Sequence, residues 1–140
     1  MAHHPKLDLS SFQQALNSLD IAVQKYSIES NNLFVRDATI QRFEYTYELA
    51  HKMLKRYLEL SEPNAEIIDQ MSFPDLIRTA SERGLILNAW DTWKLYRDAR
   101  NITSHTYSEK KAIQVCSVIP LFLNEAQHLL LTLQKSLLTL

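Results

Sequence analysis

The sequence predicts an all-α protein, an antiparallel bundle of about five helices, and three observations carry that prediction. Apolar residues recur every three or four positions through long segments, the signature of amphipathic helices. No stretch alternates apolar and polar residues over a useful strand length, and there is no repeat or low-complexity tract. Hydrophobic residues make up 46% of the chain and charged ones 22%, a balance that suits a folded soluble domain.

The first helix is expected over about residues 9–29, with Leu9, Phe12, Leu16, Leu19, Val23 and Tyr26 on one stripe. The second, about 33–61, carries Ile40, Phe43, Tyr47, Ala50, Leu54 and Leu58. It should stop at Glu62-Pro63, because the residue before proline disfavours helix. A linker reaches Ser72, where Ser-Phe-Pro-Asp supplies a cap and a carboxylate near the helix start. That third, short helix should end at Gly84, a left-handed C′ residue. Asn88 then caps a fourth helix bearing Trp90, Trp93 and Tyr96. The fifth starts near Ser108 and carries Ala112, Val115, Ile119, Phe122, Ala126, Leu129, Leu133 and Leu137. Pro120 falls inside it and should kink or divide it. Four long helices and one short one form a single domain over residues 1–140, with residues 1–7 as a flexible lead. Leu121, Leu123, Leu130, Leu131 and Leu138 lie off or beside the main face of the last helix. That width suggests a second buried surface, hence a homodimer, or added depth in a monomeric core.

Composition narrows the chemistry. The one glycine, Gly84, rules out a Walker loop and a GxGxxG turn, since both need several glycines. The lone Cys116 excludes an intrachain disulfide and a multi-cysteine zinc site, and reads as a small buried hydrophobe. No cofactor and no metal is expected. His3 and His4 read as part of the unstructured lead, His51 as a partly buried packing residue and His128 as structural. No signal-peptide core is present and nothing approaches a membrane span, so a cytoplasmic protein is expected.

Net charge is −1, but Lys94, Arg97, Arg100, Lys110 and Lys111 face only Asp98 and Glu109 between positions 94 and 111. A small basic patch on a near-neutral body suits a compact phosphate site, with Lys94, Arg97 and Arg100 as its cations. Within it, Arg97–Tyr107 reads RDARNITSHTY. On an ideal helix Arg100 and His105 would lie about 140° apart. Asn101, Thr103 and Ser104 hydrogen-bond to local backbone, so the helix should end around Thr103–Thr106 and let His105 turn toward Arg100. Such a set can handle a phosphodiester without metal. The histidine moves protons, the arginine pairs with phosphate oxygens, and Asn101 orients either. A second copy would supply the second histidine. The plainer account is a helix C-terminus dressed with cations. Glu44 and Glu48, with Lys52 and Lys55, read as surface pairs on the second helix.

These residues resemble a family. RNITSHTY is similar to the Arg-x4-His-x-Tyr signature of the HEPN superfamily, in the branch of nucleotidyltransferase substrate-binding proteins. Arg36–Glu59 and FPDLIRTASERGLI, followed by a tryptophan-bearing helix, extend the likeness over roughly residues 7–138. The branch usually has an aromatic where His51 stands, and Pro120 is not expected of it. The resemblance implies a dimeric helical bundle with two Arg-x4-His motifs in one cleft, paired with a minimal nucleotidyltransferase as toxin and antitoxin. It implies a metal-independent endoribonuclease silenced by AMP transfer to the motif tyrosine. By position, Arg100 and His105 are then catalytic, Asn101 supports them, and Tyr107 is the acceptor. Two other readings stay open: a noncatalytic nucleotide- or substrate-binding subunit of the nucleotidyltransferase, and a structural dimer whose polar cluster caps a helix.

Overall fold

Small and β-branched side chains decide how the first two helices meet. In the computed structural model, which describes residues 6–140, they are α1 (Ser10–Ile28) and α2 (Leu33–Ser61), joined by a tight turn. Asn32 caps α2 by accepting from the Phe34 and Val35 amides. Thr39 and Thr46 are buried on α2 opposite Ala22 and Ala15. Their hydroxyls bond back to the Val35 and Arg42 carbonyls at 2.8 and 2.6 Å, which satisfies them without water. Arg42 also donates to the Ser18 carbonyl at 2.9 Å. The pairing of 22 with 39 and 15 with 46 makes α1 and α2 antiparallel.

Short elements follow. Helix α3 (Ala65–Asp69) is capped by Asn64 and buries Ile68. Helix α4 (Phe73–Glu82) starts on Ser72, whose hydroxyl accepts from Asp75, with Pro74 in the first turn. It ends as expected at Gly84, which adopts φ +70°. Gly84 N bonds to the Ser81 carbonyl and Leu85 N to the Ala80 carbonyl, a Schellman close. Helix α5 (Trp90–Asn101), a 3₁₀ turn (Thr103–His105) and α6 (Glu109–Leu137) complete the chain. Arg36 at the start of α2 bonds Glu109 at the start of α6 at 2.7 Å, so those helices run parallel, with α1 and α5 opposed to them. Phe43, Trp93, Tyr96 and Phe122 meet mostly edge-on at the centre, with ring centroids 5.2–6.4 Å apart in the pairs that touch.

The architecture is the predicted all-helical bundle, and several details differ. The expected linker contains α3, a helix too short to show periodicity. Asn88 is not a cap: Ala89 holds that position, and the Asn88 amide is drawn to Glu125 on α6 at 2.9 Å. Pro120 does not divide α6, which is helical without a break from Glu109 to Leu137. The ring is exposed, and only the bond to the Cys116 carbonyl is lost to it. Of the wide apolar arc, Leu123 and Leu130 belong to the core, while Leu121, Leu131 and Leu138 are exposed. Contrary to the sequence expectation, α6 is long and apolar enough to cross a membrane by length and composition. Its inward face is nevertheless the packed side of the bundle, from Ala112 to Leu137. Of the lead expected over 1–7, residues 1–5 with His3 and His4 lie outside the described residues, and Leu7 is buried in the core.

Candidate functional site

Side chains that compete with the helix for hydrogen bonds end α5. The helix stops at Asn101, slightly before the expected range, and the chain tightens into the 3₁₀ turn. His105 N bonds to the Ile102 carbonyl at 3.0 Å and Ser108 N to the His105 carbonyl at 3.1 Å. Thr106 Oγ1 donates to the Thr103 carbonyl at 3.0 Å, and Ser108 caps α6. This corner lifts His105 and Tyr107 into solvent. Their rings lie 6.4 Å apart, and Tyr107 is 88% exposed.

Arg100 sits one step back, between α5 and α2. Its Nε donates to Glu48 at 2.6 Å, and Nη1 lies 3.8 Å from Glu44 and 3.4 Å from Thr103 Oγ1. The Thr103 hydroxyl, buried, reaches both the Glu44 carboxylate and the Arg100 carbonyl. Glu44 and Glu48 therefore form a carboxylate shelf that aims the guanidinium, with Thr103 as its strut. Nη2 makes no hydrogen bond among the described residues. With the Arg100 side chain 31% exposed and Glu48 54%, the pair contributes little to stability, at most about 1 kcal/mol. Its effect is orientation.

The structure thus places Arg100, Asn101, His105 and Tyr107 on one corner, but no hydrogen bond or ion pair joins Arg100 to His105. Asn101 and His105 are both exposed. Of the other expected phosphate ligands, Lys94 is exposed. Arg97 lies across the Trp90 ring at 4.9 Å, and its Nε is buried without a hydrogen-bond partner among the described residues.

Glu44, Glu48 and Thr103 are the site residues that sequence reasoning missed. Four-residue spacing puts the two glutamates on one helical face and offers Lys52 as the partner of Glu48, with Lys55 one turn further along. Tertiary packing overrides that choice. Arg100 takes Glu48, Lys55 bonds Asp69 at 2.9 Å, and Lys52 is left exposed without an ion pair among the described residues.

The remaining titratable residues fall near expectation. His51 is half-buried with its ring 4.5 Å from Phe73, and burial pushes its pKa down. Cys116 is half-buried, and burial pushes its thiol pKa up. His128 is half-buried on α6.

Comparison with known proteins agrees with this architecture. A family profile described as nucleotidyltransferase substrate binding protein like matches residues 7–135. A Haemophilus influenzae protein named probable ribonuclease HepT is 38% identical over 138 residues, covering 93% of this chain and 94% of its own. A solved H. influenzae structure, described as revealing the fold of a substrate binding domain of a nucleotidyltransferase, superposes with a TM-score of 0.85 at 36% identity. It covers 91% of this chain and 99% of its own. With its helical bundle, its Arg-x4-His-x-Tyr corner and these relatives, the chain belongs to the HepT-like family of nucleotidyltransferase substrate-binding proteins.

Proposed function

We propose that this protein is a cytoplasmic, dimeric, metal-independent endoribonuclease held in check by a partner nucleotidyltransferase. The observation that carries the reading is the pair of exposed rings, His105 and Tyr107, on the corner next to the oriented Arg100. In the reaction, His105 takes the proton of a ribose 2′-hydroxyl as that oxygen bonds to phosphorus. The bond from phosphorus to the 5′-oxygen breaks, and that oxygen takes a proton from His105 of the partner subunit. The products carry a 2′,3′-cyclic phosphate and a 5′-hydroxyl. Arg100 pairs through Nη2 with charge gathering on the non-bridging oxygens, and Asn101 supports the phosphate. Lys94 and Arg97 hold the flanking backbone, the latter through the part of its guanidinium not laid on Trp90.

Tyr107 suits a modification acceptor because its hydroxyl stands in solvent one residue beyond Thr106. Its oxygen attacks the α-phosphorus of ATP held by the nucleotidyltransferase, pyrophosphate leaves, and the phenolic proton passes to water. The added phosphate places negative charge beside His105, where it repels an RNA strand.

The test is RNA cleavage in EDTA by the wild-type protein and by His105→Ala. The expected result is a loss of at least about 100-fold in the variant, with circular dichroism and solution mass unchanged. Equal cleavage by both would remove the histidine from the chemistry. A second reading, a noncatalytic substrate-binding subunit, is favoured by the engagement of Arg100 with Glu48 and Glu44. It expects intact RNA and a partner transferase whose activity depends on Arg100.

A further inference from the structure

Glu48 and Lys52 stand one turn apart on α2, the spacing at which carboxylate and ammonium normally pair on a helix surface. They do not pair here. Glu48 is committed to Arg100 Nε at 2.6 Å, and Lys52 projects into solvent with no ion pair among the described residues. Beside them lies a cleft of about 410 Å³ lined by Glu48, Leu49, His51, Lys52 and Lys55. Its size falls within the range of small-ligand sites. Of its charges, Glu48 is offset by Arg100 and Lys55 by Asp69 at 2.9 Å. The ammonium of Lys52 is the one charge left over.

We propose that this cleft is a phosphate-binding subsite for the RNA chain, in which Lys52 holds a phosphodiester flanking the one presented to Arg100 and His105. The proposal rests on the reading of RNA as substrate given above. Glu48 ties the two positions together, since its Oε1 accepts from Arg100 and the same residue lines the cleft. Four helical residues, a rise of about 6 Å, separate Glu48 from Lys52, comparable to the step between neighbouring phosphates on a single strand. His51 completes the cleft with a half-buried ring seated edge-on against Phe73. Neutral, it offers a sugar or base a hydrogen bond without adding charge. Lys52 therefore acts on binding and takes no part in bond breaking.

An uncleavable 2′-O-methyl oligonucleotide separates binding from cleavage. Its affinity for wild-type, Lys52→Gln and Lys52→Arg protein is measured by fluorescence anisotropy across a salt series. A single-strand phosphate contact contributes about 0.7 to the slope of log K against log salt. Removing Lys52 should lower the slope by that amount and weaken binding roughly eightfold at about 50 mM salt and roughly fourfold at about 150 mM. The arginine variant should retain wild-type slope and affinity. Lys52 is exposed, so circular dichroism should be unchanged in both.

An unchanged slope in Lys52→Gln overturns the subsite, and so does failure of the wild-type protein to bind the oligonucleotide. Weaker association of Lys52→Gln with the nucleotidyltransferase, with RNA binding intact, also overturns it, because the cleft then belongs to an acidic protein surface. Cleavage of natural RNA, followed in parallel, reports on the nuclease reading alone. RNA that binds through Lys52 but stays whole would retire the nuclease and keep the subsite.

Discussion

Two polar centres hang from α5 about one turn apart, and they are built on opposite plans. At Tyr96 the centre is sealed. Glu125, fully buried, accepts from Tyr96 Oη at 3.0 Å, the Leu87 amide at 2.6 Å, and the Asn88 amide and side chain at 3.2 and 2.9 Å. At Arg100 the centre is open: Glu44 and Glu48 engage part of one guanidinium while Nη2, His105 and Tyr107 face water. A closed network locks the loop after α4 and the start of α6's second half onto α5, and leaves nothing over for a ligand. The open one is held just firmly enough to aim a cation outward. Saturated polar groups build the fold, and unsaturated ones beside them carry the candidate chemistry.

The harshest way to break this contrast is to open the sealed centre. Glu125→Ala leaves two backbone amides, an amide side chain and a phenol without their acceptor and adds a cavity. The expected cost is about 3–5 kcal/mol, or a fall in melting temperature of roughly 10 °C for a chain of this length. Chemical and thermal denaturation would read it. A loss below about 1 kcal/mol would mean that the carboxylate is replaceable and that the buried centre is no keystone.

Loosening the open centre should do the reverse, leaving stability alone and touching activity. Glu48→Gln keeps the shape of the shelf but gives up the charged half of its grip on Arg100. Because the pair is exposed, stability should move by less than about 0.5 kcal/mol. Cleavage in single turnover should drop by about tenfold as the guanidinium loses its aim. Faster cleavage would show instead that Glu48 restrains Arg100 rather than positions it.

The same contrast explains what could be read from the sequence. Apolar spacing located α1, α2, α4, α5 and α6 because long helices bury one stripe each, and Gly84 announced the end of α4 through its need for positive φ. Helix α3 was invisible because five residues with Ile68 as their single buried anchor carry no period. The ending of α5 was legible in Asn101, Thr103 and Ser104 as poor helix-interior residues, and of the three Thr103 is the one whose side chain bonds back to the local backbone, at the Arg100 carbonyl. Glu125 was not, since a carboxylate flanked by Asn124 and Gln127 in a leucine-rich helix declares itself only when Leu87, Asn88 and Tyr96 arrive from elsewhere. The motif residues Arg100, His105 and Tyr107 could be named from their order. The partners that orient Arg100 could not, because Glu44 and Glu48 lie more than fifty positions away and Glu48 had Lys52 within reach.

His51 sits between the two plans, half-buried against Phe73 at 4.5 Å yet lining the cleft beside Glu48, and it gives the smallest predicted effect. Burial pushes its pKa below the ordinary histidine value. Glu48 works against that shift and Lys55 with it. Protonation is therefore harder in the folded chain than in the unfolded one, whose histidine titrates near about 6.5. The unfolded state binds more protons on the acid side, so the contribution of a neutral His51 is fully present above that pH. It is lost as pH falls through the lower, folded value. Phenylalanine would keep the edge-on contact with Phe73 and remove the titration. Urea unfolding of wild type and His51→Phe at pH 8 and pH 5 should show a gap that shifts in the variant's favour at the acid pH. Parallel pH dependences would place the acid sensitivity elsewhere and leave His51 as open to water as Lys52.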